Sequence, residues 1–302
     1  MERRERIHEG LRVEPGGKAG LADRDPAWTG GPEFAGLSKK DAKAKAKALL
    51  ERDVKALSEA QELLWASHTR ALLVVFQGID ASGKDSAIDH VMSGVNPQGV
   101  EVVTFKQPSS EELDHTFLWR IAKATPERGR IGIFNRSHYE ELVVVRVHPE
   151  WLEKQRLPDG DRGAQFWAQR YEDINAFERH LDRNGTTIVK FFLHVSKAEQ
   201  KRRFLARLDE PDKHWKFSAA DVAERAHWDE YMAAYEDALT ATSTPWAPWY
   251  VIPADHKWLA RALIATTLLH TIHGLGLDWP ELSEQEREAN LEARRLLEAE
   301  SD

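Results

Sequence analysis

The 302-residue sequence contains no cysteine, which excludes disulfide cross-links and thiol nucleophiles and suits a reducing compartment. It has no apolar stretch near the roughly 18 residues that a membrane span requires. The longest such run, "ALLVVF" at 71–76, has the length of a buried strand. The opening "MERRERIHEG" lacks the apolar core of a secretory leader. An excess of positive charge is missing too: 42 Lys and Arg against 50 Asp and Glu leave a formal net charge of −8. A general polyanion binder is normally basic overall, so any site for a phosphate-rich ligand must be a local concentration of Lys and Arg. Thirteen histidines are present without an H-E-x-x-H motif or a paired Cys/His spacing. These absences predict a soluble cytoplasmic protein with neither a membrane nor a nucleic acid as partner.

What is there alternates in pattern. Residues 9–37, with "EPGGKAG" and "TGGPEF", read as an extended arm. Residues 38–68 are strong helix formers, with Ser38 as N-cap, Asp41 as a first-turn acid and the lysines as a solvated face. Strand candidates follow at 71–77, 100–105, 130–135, 186–195 and 249–253, separated by helical patterns that include 84–93, 164–183, 197–208, 218–241 and 257–273. Such alternation predicts an α/β fold with a central parallel sheet flanked by helices. The predicted organisation is an arm and helix through 68, a catalytic domain over 69–275, and a C-terminal helix within 276–302. Opposite charges three or four apart support that last helix.

The segment "FQGIDASGKDSAI" (76–88) carries the chemistry. Gly78, Gly83 and Lys84 have the spacing G-x-x-x-x-G-K of a phosphate-binding loop, after a strand and opening a helix. Backbone N–H groups of such a loop, here Gly78, Ala81, Ser82 and Gly83, point at an anion, and the helix dipole adds positive charge. Lys84 supplies a point charge to the terminal phosphates. Where a Ser or Thr hydroxyl usually holds magnesium, this sequence has Asp85, which also suits the first turn of the helix. Asp80 lies inside the loop, and a carboxylate beside a polyphosphate needs a cation between the like charges. Asp80 is therefore the expected metal ligand.

Two further clusters belong with the loop. In "IGIFNRSHYEEL" (131–142) a strand ends in Asn135, Arg136, His138, Tyr139 and Glu140, at the carboxyl end where parallel sheets bind ligands. Arg136 and a carboxylate then face the loop, and Asn135 stands near where phosphate-transferring proteins commonly place an Asp. His138 suits a phosphate contact or a helix cap. In "SKAEQKRRFLARLDEPDKHWKFS" (196–218), Ser196 and Glu199 read as a capping box, and Lys201, Arg202, Arg203, Arg207, Lys213 and Lys216 concentrate positive charge. A helix with such a face can close over phosphates as a lid at about 196–218.

Together "GIDASGKDSAIDHVMSGVNPQGVEVVTFKQPSSEELDH", "IGIFNRSHYEE", "DKHWKFS" and "TSTPWAPWYVIPADHKW" resemble the polyphosphate kinase 2 family over about residues 10–273. The resemblance implies a thymidylate-kinase-like P-loop kinase fold with a helical lid. It also implies phosphoryl transfer between inorganic polyphosphate and adenine nucleotides, with Mg2+ or Mn2+. By it, Asp80, Lys84, Arg136 and Glu140 are the catalytic set, and Lys201, Arg203, Arg207 and Lys216 are lid residues that reach the polyphosphate. Spacing does not choose among Lys201, Arg202 and Arg203 for the inward position. Glu140 resembles the family's third class, which phosphorylates both AMP and ADP. The resemblance further implies a homo-oligomer, tetramer or dimer. Two other readings share the loop: an ATP-dependent nucleoside or nucleotide kinase, and a non-catalytic nucleotide-binding scaffold.

Overall fold

All seven residues of Ala71–Gln77 (β1) are buried, as in a parallel strand covered on both faces. The structure, a computed structural model, describes residues 9–31, 34–216 and 218–300, apart from the side chains of Lys213 and Lys216. Helix α1 (Lys39–Ser67) precedes β1, and α2 (Lys84–Val91), β2 (Val100–Thr104), β3 (Ile131–Asn135) and α3 (Glu140–Val147) follow it. Next come α4 (Ala164–Arg183), β4 (Thr186–His194), α5 (Lys197–Asp209), α6 (Ala219–Glu224) and α7 (Trp228–Thr242). Strand β5 (Trp249–Pro253), α8 (Lys257–His273) and α9 (Glu284–Ala299) complete the order. The five strands pair in parallel in the order β2-β3-β1-β4-β5. Among the described residues no helix is long and apolar enough to cross a membrane.

Side chains of β1 alternate between two cores, because successive residues of a strand face opposite sides. Leu72, Val74 and Phe76 join one cluster with α1, α2 and α8; Leu73 and Val75 join the other with α3, α4 and α7. Helix α1 lays Ala46, Leu57, Ala60 and Leu64 against α8 and keeps its lysines on the exposed face. Its N-cap Ser38 accepts from the Asp41 N–H, as its sequence predicts.

Three expectations change. The N-terminal segment does not extend away from the sheet: Val13 N–H donates to Trp249 O, Ser243 Oγ donates to Val13 O, and Val13 and Leu21 are buried. Its apolar residues outweigh its turn residues, so it covers the β5 side. The helix expected over 218–241 breaks into α6 and α7 around a turn at Arg225–His227, where Glu224 turns in to accept from His148 (2.9 Å) and Tyr231 (2.7 Å). The Ser196 capping box is half formed: Ser196 Oγ accepts from Glu199 N–H, but the Glu199 carboxylate is taken by Arg202 and Arg203.

Candidate active site

The register of β1 on β3 pairs Phe76 with Asn135, so the phosphate loop and the β3 turn leave the sheet side by side. Arg136 N–H donates to Phe76 O (3.0 Å), and Arg136 has φ 64, a left-handed conformation rare for a residue with a side chain. That turn sends its guanidinium across the loop. Nη2 donates to Asp80 Oδ1 (2.5 Å) and Nη1 to Glu140 Oε2 (3.0 Å). Glu140 beside it, against the opposing effect of burial, raises the Arg136 pKa further. Three of the four residues expected to be catalytic thus form one charged triad.

Lys84, the fourth, is buried, and its Nζ donates to Gly78 O (2.6 Å). Burial and the neighbouring Arg136 push its pKa down to about 8. In the loop Gly78 has φ 146, and a Cβ there would lie 2.9 Å from Leu193 O, so only glycine fits. Gly83 is the N-cap of α2, at φ 107. Ser82 Oγ is buried with no partner and lies against Gly78, away from the open cavity.

Asp85 neither caps α2 nor stands alone. Its Oδ1 accepts from Asn135 Nδ2 (2.6 Å). The carboxylate commonly found at the end of β3 is absent, and one stands instead at the position after the lysine, hydrogen-bonded to the amide that replaces it. Arg136 holds Oδ1 of Asp80 and Asn135 holds Oδ1 of Asp85, so each carboxylate has a second oxygen to offer a hard cation. Among the described residues no group of three or more acidic or histidine side chains could hold a metal ion. Two carboxylates suit an ion that keeps waters and phosphate oxygens as its other ligands.

These groups line a cavity of about 1050 Å³ with ten Lys and Arg against six Asp and Glu. The local excess of positive charge that an acidic chain would need is present.

The lid residues divide. Arg207 lines the cavity and lies 3.8 Å from Asp221. Arg203 also reaches the wall, but it is buried and donates to the carbonyls of Ala81, Ser82 and Ala254, so it braces the phosphate loop from behind and its donors are not turned toward a polymer. Lys201 is exposed and stands outside the cavity wall, which Arg202 joins instead. The Lys216 side chain lies outside the described residues.

His138 is corrected. It is buried under α3, with Nε2 3.3 Å from Glu178 Oε1 and its ring against Tyr139 and Phe177. Burial, opposed by Glu178, lowers its pKa, and it contacts no part of the cavity. Its neighbours form a closed network: Lys190 Nζ donates to Glu178 Oε2 (2.6 Å), Tyr139 Oη (2.7 Å) and Thr242 O (2.8 Å). Burial works against the Glu178 carboxylate, but Lys190 and His138 win and hold its pKa below the usual range.

Sequence reasoning missed other lining residues. Lys106 and Arg120 follow β2, Trp151 and Lys154 follow α3, and Lys257 and Arg261 sit on α8. Asp221 on α6 also lines the cavity; burial, then the negative field of Asp80, raises its pKa. A spacing of four between Lys257 and Arg261 was a readable signal of a shared helix face. For the rest only the sheet order brings the segments together.

A strand, a glycine loop and a lysine-led helix at the centre of a parallel sheet, with an arginine and carboxylates from the next strand and a basic helix opposite, define a P-loop phosphotransferase. The family model described as Polyphosphate kinase 2 matches residues 37–276. The chain belongs to the polyphosphate kinase 2 family. It is 52% identical over 250 residues to the ADP-polyphosphate phosphotransferase of Rhodopseudomonas palustris, covering 82% of this chain and 86% of that protein. It is 44% identical over 270 residues to the AMP/ADP-polyphosphate phosphotransferase of Meiothermus ruber, covering 89% and 94%. The crystal structure of Polyphosphate Kinase 2 from Arthrobacter aurescens TC1 superposes with a TM-score of 0.83 at 43% identity, over 95% of this chain and 96% of that one.

Proposed function

We propose that the protein transfers phosphoryl groups from inorganic polyphosphate to AMP and ADP, giving ADP and ATP, reversibly. The observation that carries this reading is the convergence of Lys84 and the Asp80–Arg136–Glu140 triad in one basic cavity. An oxygen of the nucleotide's terminal phosphate attacks the terminal phosphorus of the polymer. The bond from that phosphorus to the chain breaks, and the shortened chain keeps the electron pair. The attacking oxygen is already ionised at neutral pH, so no strong general base is needed. The protein's contribution is positioning and charge.

Lys84 and Arg136 neutralise charge on the transferred group, Arg207 adds to this from the lid, and Glu140 places the acceptor. Asp80 and Asp85 would hold magnesium, with manganese as a substitute. The ion screens the like charges of carboxylate and phosphate. The same reading carries a cytoplasmic homo-oligomer, tetramer or dimer, which light scattering on the purified chain decides.

The test is an assay with polyphosphate and either AMP or ADP, with no ATP supplied, with and without magnesium. ADP and ATP should appear with magnesium only. No product under these conditions, together with turnover when ATP replaces polyphosphate, would favour an ATP-dependent kinase. A scaffold would bind nucleotide with neither donor consumed.

Glu140→Asn should lower kcat/KM for one acceptor relative to the other, since on this reading the carboxylate positions the acceptor. Equal loss with AMP and ADP removes Glu140 from that role. A pH profile checks Lys84. Its ammonium must be charged to hold phosphate, and its pKa in the free protein is about 8. The kcat/KM for polyphosphate should therefore fall as pH rises through about 8, while kcat should hold to higher pH because bound phosphate favours the charged form. A kcat/KM flat up to pH about 10 would contradict this; an unperturbed lysine titrates near 10.4.

A further inference from the structure

Every residue from 278 to 300 is exposed, so the segment after α8 gains no cover from its own chain. The family match ends at residue 276, just short of it. Within this segment α9 runs for 16 residues on a capping box, Ser283 with Glu286, and on ion pairs such as Arg294–Glu298 (2.8 Å). Those devices support a marginal helix only, because most helical stability in proteins comes from packing an apolar face. Such a face exists. Ala289, Ala293, Leu296 and Leu297 fall at i, i+4, i+7 and i+8, and the two leucines are 62% and 67% exposed.

The charge around that face selects what can cover it. From Glu284 to Glu300 six glutamates stand against three arginines. Glu288 and Glu292 run along the edge beside Leu296, one turn apart. Such a helix is repelled by an anionic bilayer, a nucleic acid or free polyphosphate. A cationic protein surface attracts it. Outside the cavity this acidic chain concentrates lysine at the start of α1: five of the nine residues from Lys39 to Lys47 are lysine, and all five are exposed. Ala44 and Ala48 lie among them on the solvent side, one turn apart and opposite the buried Ala42 and Ala46. Alanines on one helix facing leucines on another let the two axes approach closely. Leu37, just ahead of the Ser38 cap, adds exposed apolar surface.

We propose that α9 docks on the lysine face of α1 in a second copy of this chain, laying Leu296 and Leu297 over Ala44 and Ala48. Exchange across a twofold axis covers both copies at once, because each contributes one α9 and one α1. This gives the homo-oligomer of the proposed function its contact surface, and it rests on that part of the reading.

The absence of cysteine makes the test direct: two variants, Ala48→Cys and Ala293→Cys, each carry a single thiol. Both positions are exposed, so neither change threatens the fold. The two full-length variants are co-expressed, one of them tagged, and treated with a short bis-maleimide. A cross-linked pair containing one of each is expected. Dimers joined only through Ala293→Cys would show α9 pairing with itself and overturn the docking, as would no cross-link at all. Light scattering supplies a second readout. Glu288→Lys with Glu292→Lys should weaken association about tenfold, since like charges then face each other, and adding Lys40→Glu with Lys47→Glu should restore it. Failure of that rescue overturns the pairing of these two helices. Wild type that is oligomeric but never cross-linked loses the docking and keeps the oligomer, whereas a monomeric wild type loses both. Among the described residues neither helix lines the cavity, so phosphotransfer is tested apart from this contact.

Discussion

Lys84→Ala is expected to lower kcat/KM by about 10²–10³-fold, the loss seen when one preorganised donor to developing charge is removed, while Tm stays near that of wild type. The side chain is buried, and burial pushes its pKa down to about 8, so the folded chain carries this ammonium at some expense. Without ligand its Nζ rests on the loop carbonyls of Gly78 (2.6 Å) and Ile79 (3.4 Å). Removing it leaves those oxygens beside an open cavity that water can enter, so little stability is lost. Lys84→Arg should not restore turnover, because a planar fork does not fit a space shaped for a compact ammonium. Near-normal turnover of Lys84→Ala would take the lysine out of the chemistry.

The largest stability effect should come from Glu178→Ala, far from any substrate. Glu178 and Lys190 are both fully buried, and Lys190 has three acceptors. Deleting the carboxylate strands a buried ammonium and frees the Tyr139 hydroxyl and the His138 ring. Breaking such a pair costs about 3–5 kcal/mol, a fall in Tm on the order of 10 °C. Replacing both members with apolar residues, Glu178→Leu with Lys190→Met, should recover much of the loss, because no uncompensated charge remains. Thermal denaturation of the two variants checks this; a double variant no more stable than Glu178→Ala would show that the network's shape matters more than its charge. Tyr139 is the N-cap of α3 and Glu140 its first residue, so Glu178→Ala should also weaken turnover.

The strands were legible because most are short runs rich in apolar residues and bounded by turn residues, and the ends of α4 and α8 matched their periodic patterns. The loop was legible because glycine spacing reports backbone conformation directly. Less was readable where one residue type serves two environments. Arg203 and Arg207 share a helix face in the sequence and both border the cavity, yet the first is buried and commits its guanidinium to four backbone carbonyls. His138 sits among polar neighbours in the sequence, while the fold turns it beneath α3. Asn135 seemed a missing charge until the register placed it against Asp85. Lys257 and Arg261 were invisible as site residues because 173 residues separate Lys84 from Lys257, and only the sheet order closes that gap.

The docked N-terminal segment bears on how the chain can be shortened. The family match begins at residue 37, which invites trimming to that point. Yet Leu11 shares one core with Tyr250, and Val13 and Leu21 share the other with Trp249 and Val251, while Gly20 and Leu21 N–H groups occupy both oxygens of Glu236. Removing them would uncover aromatic surface along the last strand and leave a carboxylate stripped of its two backbone donors. A protein cut at that boundary would keep every residue that lines the cavity and still be prone to precipitate.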